Sequence, residues 1–215
     1  MDGKTLSRLR SGSVGPTSTC GTHAPARTFL LLALLAAGAA SHGQEVIVNG
    51  DFDSDLSGWT TFGAPAPIWA SFDQAGAPSG SALLSNTAAG PDEHLVRLSQ
   101  CFVPSRPGRY QFSAHGYIPA GQASGRLFVV AVIYSGGGCT GPGGGPGAYL
   151  PATIGAWVQQ TGLIEVSTDE IALPVSMGLS LGIEKTPAGG SIEAYVDAAR
   201  LIYDPVFADG FEQVP

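Results

Sequence analysis

The sequence predicts an all-β protein, an antiparallel β-sandwich of the jelly-roll type. Apolar residues alternate with small or polar ones from Val175 to Ile183 without interruption, as in a strand with one buried face. The 31 glycines and 16 prolines break helices and mark turns, and helical periodicity is nearly absent. With 44% hydrophobic and 13% charged residues, the composition favours a packed core over disorder.

About nine strands are predicted along the chain. Residues 110–118 alternate, with Gln111, Ser113, His115 and Tyr117 on one side, whereas residues 127–134 are almost continuously apolar, as in a central strand. The other candidates span residues 45–49, 68–72, 82–85, 95–103, 157–167, 175–183 and 192–203. Turn signals between them predict one sandwich domain over residues 44–203 and a short tail over residues 204–215. The glycine-rich stretch from Ser135 to Gly147 is predicted to be a flexible connector.

The first 43 residues are predicted to be a signal peptide with a long basic region. Arg27 precedes the apolar run from Phe29 to Ala40, which is too short to span a bilayer, and small residues follow it. The alternative is a buried core helix. Export predicts a secreted, periplasmic or cell-surface protein of a bacterium.

The net charge restricts the possible partners, and the cysteines indicate the cellular compartment. Without the residues before position 30, the 10 cations and 17 acids of the chain become 6 and 16, a net charge of −10. Such a protein repels nucleic acid and anionic membranes but is compatible with a neutral glycan. Cys101 and Cys139 are the two cysteines left after cleavage, so an oxidising compartment predicts a disulfide between them. The alternative is two unpaired thiols.

Three motifs resemble those of CenC-type carbohydrate-binding modules. The segment 49–59 (NGDFDSDLSGW) resembles the family's opening, residues 107–114 (PGRYQFSA) resemble an early strand, and residues 195–201 (YVDAARL) resemble the closing strand. The tail resembles an IFxDGFE ending on exported proteins of some gammaproteobacteria. The resemblance implies a jelly roll and a structural Ca²⁺ held by Asp53 and Asp197, with the carbonyl of Asp51. The alternative is that Asp53 and Asp197 cap turns or accept backbone hydrogen bonds.

A glycan would bind to aromatic faces flanked by polar side chains. The candidate residues are Trp69, Gln111, His115, Tyr117 and Tyr134, with Tyr134 expected to join the polar face of residues 110–118 from the next strand. Trp59 and Trp157 are expected to pack into the core. The alternative for the polar face is an ordinary solvated sheet surface.

No pattern for catalysis is present. The sequence lacks HExxH, Cys-x-x-Cys, GxSxG and a phosphate-binding loop, and no pair of glutamates stands in a recognisable context. We therefore predict a secreted, non-catalytic module that binds a neutral carbohydrate or cell-surface glycan. The alternative is an extracellular structural or adhesive β-sandwich with no sugar site. Exposed aromatic residues in a groove would favour the first hypothesis. The oligomeric state is left open.

Overall fold

The computed structural model describes residues 43–74, 79–87, 95–122, 125–151, 155–171, 175–185 and 190–204. The predicted signal peptide up to residue 42 and the tail from residue 205 lie outside these residues. Within them, none of the helices is long and apolar enough to cross a membrane. The described elements are β1 (Gln44–Glu45), β2 (Thr60–Phe62), β3 (Ile68–Ala70), β4 (Ser81–Asn86), β5 (Leu95–Phe102), β6 (Gly108–Tyr117), β7 (Arg126–Gly136), β8 (Thr140–Gly144), β9 (Gly147–Pro151), β10 (Trp157–Val166), α1 (Thr168–Ile171), β11 (Ser176–Glu184) and β12 (Ile192–Asp204).

Two antiparallel sheets of six strands each form the predicted sandwich. Sheet A has the order β10-β6-β12-β4-β3, with β1 paired to β12, and sheet B has the order β2-β5-β11-β7-β8, with β9 paired to β7. The predicted all-β jelly-roll class is therefore confirmed. The strand predicted over residues 45–49 is wrong in extent, because only Gln44 and Glu45 pair, with Tyr203 and Ile202.

The core lies between the sheets and follows the predicted alternation. Met177, Leu179, Leu181 and Ile183 point inward from β11 and are fully buried, facing inward residues of sheet A such as Phe112. Burial of each such side chain contributes about 1.5–3 kcal/mol. Trp59 belongs to this core, as predicted. Trp157 does not belong to this core, so the prediction for it is wrong: it pairs with Tyr117, which is on the outward side of β6.

The glycine-rich stretch is a β-hairpin, so the prediction of a flexible connector is wrong. Residues of β8 pair with the end of β7, with Gly136 opposite Thr140 and Ile133 opposite Gly144. Cys139 lies in the turn with a φ of 57°, a conformation usually left to glycine. Its backbone N–H donates to Ser176 Oγ on the neighbouring strand, which anchors the turn.

A β-bulge in β12 sets the outward side chains near the predicted closing motif. Asp197 pairs with His115 and Arg200 pairs with Ser113, so β12 carries one extra residue between these pairs. Ala198 lies within the bulge and has a φ of 48°. Because of the bulge, both Asp197 and Arg200 lie on the outer side of sheet A.

Candidate functional site

The outer side of sheet A, which we name the A face, carries a cluster of four aromatic rings. Trp157, Tyr117 and Tyr195 lie side by side on β10, β6 and β12. Phe72 packs over all three, with ring-centroid distances of 5.3, 4.9 and 4.8 Å. Phe72 covers the other three rings, so a sugar could reach those rings only by displacing it, whereas the Phe72 side chain itself is 40% exposed. Most of the aromatic surface in this cluster is therefore used for packing within the protein.

The polar residues predicted for sugar binding lie on the same A face, beyond the ring cluster. Gln111 is exposed and lines a shallow depression of about 420 Å³ with Leu163, while His115 is half-buried between Gln159 and Asp197. Burial and the nearby Arg200 guanidinium lower the pKa of His115, which favours the neutral imidazole. The structure thus groups Gln111, His115 and Tyr117 as predicted. Whether they bind sugar stays a prediction.

Tyr134 and Trp69 do not join that group. The expectation for Tyr134 is wrong because β7 pairs with β11, β8 and β9 in sheet B, whereas β6 pairs with β10 and β12 in sheet A. Trp69 is opposite the inward Ala82 at the edge of sheet A, and its indole N–H donates to the Phe52 carbonyl at 2.7 Å. Its exposed fraction is 37%, but it faces away from Tyr117. The five predicted residues are therefore divided over three surfaces.

The outer side of sheet B, which we name the B face, carries a row of side chains that crosses five strands. Phe62 pairs with Arg97, Arg97 with Gly182, Gly182 with Phe128, and Phe128 with Tyr149. Four strand spacings separate the ends of the row, about 19 Å. Gly182 lets the row lie flat, because a Cβ there would meet the Phe128 ring and, at 2.8 Å, the Cβ of Arg97.

Two rings of this row are open to solvent. Phe62 is 55% exposed and Tyr149 is 50% exposed. A guanidinium lies against each ring: Arg97 Cζ is 5.1 Å from the centroid of Phe62, and Arg126 Cζ is 4.3 Å from that of Tyr149. Arg126 also forms an ion pair with Glu184 at 2.7 Å. The B face thus offers apolar ring surface beside fixed hydrogen-bonding groups, the combination that sugar recognition needs.

The predicted disulfide borders the B face. Cys101 on β5 and Cys139 in the β7–β8 turn are bonded, with 5.9 Å between their Cα atoms. The bridge passes over Gly178 of the intervening strand, where an added Cβ would lie 3.3 Å from Cys139 Sγ and 3.2 Å from the Tyr134 ring. The disulfide prediction is confirmed, and the bridge holds the hairpin beside Tyr134 against the sheet.

The structure describes the surroundings of the three predicted calcium ligands. Asp51 forms an ion pair with Arg200 at 2.5 Å and shares a surface pocket with Asp53, whereas Asp197 is 3% exposed under residues 73 and 74. In the part of the chain that the structure describes, no three His, Cys, Asp or Glu side chains are arranged to hold a metal ion. The predicted set has two carboxylates and one backbone carbonyl, and calcium binding by it stays a prediction.

Asp197 is nevertheless an unusual carboxyl group. Its Oδ2 accepts from the Gln74 N–H at 3.1 Å and its Oδ1 from the Ala198 N–H at 2.6 Å. Burial, together with the neighbouring Asp73, outweighs these bonds and raises the pKa of Asp197 to about 6. Asp73 in turn accepts from the Ser79 hydroxyl. Two carboxyl groups thus meet where the β3–β4 connection crosses β12.

Comparisons with known proteins bear on the fold. No family model and no curated protein match the sequence. Among solved structures, the CBM22-1 xylan-binding domain from Paenibacillus barcinonensis Xyn10C matches with a TM-score of 0.53 at 17% identity, covering 77% of this chain and 97% of that one. The C-terminal family 22 carbohydrate-binding module of Clostridium thermocellum Xyn10B matches with a TM-score of 0.52 at 19% identity, covering 77% and 96%. The chain shares its fold with carbohydrate-binding modules.

The same carbohydrate-binding-module fold also occurs in an enzyme. A cyclase from Fischerella sp. TAU matches with a TM-score of 0.53 at 12% identity, covering 76% of this chain and 98% of that one. Identities this low show the fold alone, so function has to be argued from side chains. The resemblance to the CenC type in particular stays a prediction.

The sequence analysis missed Phe62, Arg97 and Tyr149. Phe62 belongs to a three-residue strand too short for a periodic signal, and Tyr149 follows the glycine-rich stretch. Arg97 could have been found, because alternation along β5 places it on the same side of the strand as Cys101, four residues further along.

Proposed function

We propose that the protein is a secreted, non-catalytic module that binds a polysaccharide on the B face. The observation that carries this proposal is the row from Phe62 to Tyr149, with two half-exposed rings at its ends and guanidinium groups beside both. Stacking of sugar C–H groups on the rings and hydrogen bonds from Arg97, Arg126 and Glu184 would share the recognition. The distance of about 19 Å along the row suits an extended chain of several sugars.

Several features support this proposal over the A face. The rings of Tyr117, Trp157 and Tyr195 already pack against Phe72, whereas Phe62 and Tyr149 each keep about half of their surface in water. Exposed aromatic surface on a sheet face is a common sign of a binding site. The solved carbohydrate-binding modules that share the fold agree with this function, and the disulfide agrees with export.

Binding to a panel of polysaccharides tests the proposal. The full chain is run through native gels that contain soluble xylan, β-glucan, galactan or pectin, and retardation reports binding. We expect at least one polymer to retard the wild type, and the double variant Phe62→Ala/Tyr149→Ala to lose at least tenfold in affinity, because truncating two aromatic contacts together should cost more than about 1 kcal/mol.

Leu163→Ala is the matched control. Leu163 is 49% exposed, similar to the two rings, but it lies on β10 of sheet A. Its variant should bind as the wild type does. Retention of binding by the double variant would contradict the proposed site. Failure of every polymer to bind would favour the structural or adhesive alternative.

A further inference from the structure

Among the described residues, Arg97 has no ionic partner, and it is the second of the five positions in the row on the B face. Its Nε is buried and makes no hydrogen bond in the described structure, and its guanidinium lies against the Phe62 ring. The other cation of this face, Arg126, is already paired with Glu184 by contacts of 2.7 and 2.8 Å. A partly buried guanidinium without an ionic partner is costly for the free protein, and an anionic ligand that pairs with its terminal N–H groups would offset part of that cost.

The two sheets differ in charge. The strands of sheet B contain two cations, Arg97 and Arg126, and one acid, Glu184. The strands of sheet A contain two cations and five acids, Arg109, Arg200, Glu45, Glu165, Glu193, Asp197 and Asp204. Among the strand residues, the acids are therefore concentrated in sheet A. At physiological salt, charges more than about 8 Å away are largely screened, so the local excess of positive charge decides what binds there.

On these grounds we propose that the ligand of the B face is a glycan that carries carboxylate groups, a uronic-acid polymer, with one carboxylate paired to Arg97. The inference rests on the proposed function and narrows its substrate class. A carboxylate accepts two parallel hydrogen bonds from the two terminal N–H groups of a guanidinium, and among the described residues the Arg97 guanidinium contacts the Phe62 ring but forms no ion pair. The rings of Phe62 and Tyr149 would hold the sugars on either side. This replaces the neutral glycan expected from net charge.

A pair of ligands that differ only in the carboxylate tests the proposal. Affinities of the full chain are measured by calorimetry for oligogalacturonate and for the same oligomer after reduction of its carboxyl groups to alcohols. We expect the wild type to bind the uronate at least tenfold more tightly, since charge-assisted hydrogen bonds are worth about twice neutral ones. Raising the salt concentration should weaken binding of the uronate and leave the reduced oligomer unaffected.

Variants of Arg97 assign the preference to this residue. Arg97→Gln should bind both oligomers equally, and Arg97→Lys should keep only part of the preference, because lysine keeps the charge without the planar fork. Arg109→Gln is the control: it removes a cation of equal charge from sheet A, where Arg109 pairs with Glu165, and should keep the full preference. Thermal melts of each variant confirm that it is folded.

The results separate failure of the carboxylate proposal from failure of the proposed function. Equal binding of the two oligomers by the wild type, or a full preference in Arg97→Gln, overturns the carboxylate proposal and leaves the proposed function intact. Tighter binding of a sulfated polymer such as chondroitin sulfate than of any uronate overturns the choice of carboxylate. If neither oligomer nor any polymer of the panel binds, the proposed function fails and this inference fails with it.

Discussion

Removing the Cys101–Cys139 bridge should make the protein markedly less stable without changing its fold. The double variant Cys101→Ala/Cys139→Ala leaves no free thiol in the sandwich. The bridge closes a loop with a sequence separation of 38 residues. The chain-entropy relation for a loop of that length gives a loss of about 4 kcal/mol in the free energy of unfolding at 25 °C.

Urea unfolding followed by tryptophan fluorescence measures this loss. With a slope of about 2 kcal/mol per molar urea, the midpoint should fall by roughly 2 M. The wild type titrated in the presence of a reductant should show the same shift, because reduction removes the same constraint. A midpoint that changes by less than about 0.2 M, in a variant with an unchanged slope, would refute the reasoning that the bridge constrains the unfolded chain.

Four further predictions concern the core, the buried carboxyl group and the A face. Gly162→Ala should cost about 1–3 kcal/mol in a urea titration, because its Cβ would fall on the buried Phe112 ring, whereas Gly137→Ala, whose Cβ has open space, should be neutral; equal effects would contradict the packing described. With chelator present, the contribution of Asp197 to stability should fall by at most about 3 kcal/mol as pH rises from about 4 to 6, because its raised pKa means that the folded state holds the proton more tightly than the unfolded chain. In thermal melts across this pH range, Asp197→Asn should reduce the dependence of stability on pH, and an unchanged dependence would contradict the role given to Asp197. Calcium held by Asp53 and Asp197, as the family resemblance implies, should raise Tm by several degrees at pH 7; an unchanged Tm after chelation would contradict calcium binding. Phe72→Ala should lower stability by about 1–2 kcal/mol through its three lost ring contacts while leaving glycan affinity unchanged, and weaker binding by this variant would return the A face to consideration.

Local patterns in the sequence predicted the strands well. Alternation along β11 identified its buried face, because side-chain direction in a strand has a period of two and depends on neighbours in the chain alone. The same rule placed Gln111, His115 and Tyr117 on one face of β6. Pairing of Cys101 with Cys139 followed from their number and the predicted compartment. These inferences needed no knowledge of which strands are neighbours.

Strand neighbourhood is where the sequence was insufficient. β6 and β7 follow each other in the chain but belong to different sheets, so Tyr134 is far from the face that it was expected to join. The row on the B face draws one residue from each of five strands, and such a set is visible only once the long-range pairing is known. The hairpin over residues 136–144 was missed because glycine carries no side-chain pattern.

The most direct test of the central claim is to locate the ligand by NMR. The full chain is labelled with ¹⁵N and titrated with the polysaccharide fragment that binds best. Amide shifts should change at Phe62, Arg97, Phe128 and Tyr149 and stay constant at His115, Tyr117 and Trp157, because the two groups lie on opposite sheets. Shifts confined to β6, β10 and β12, with none along the row from Phe62 to Tyr149, would contradict the claim that the B face is the binding surface.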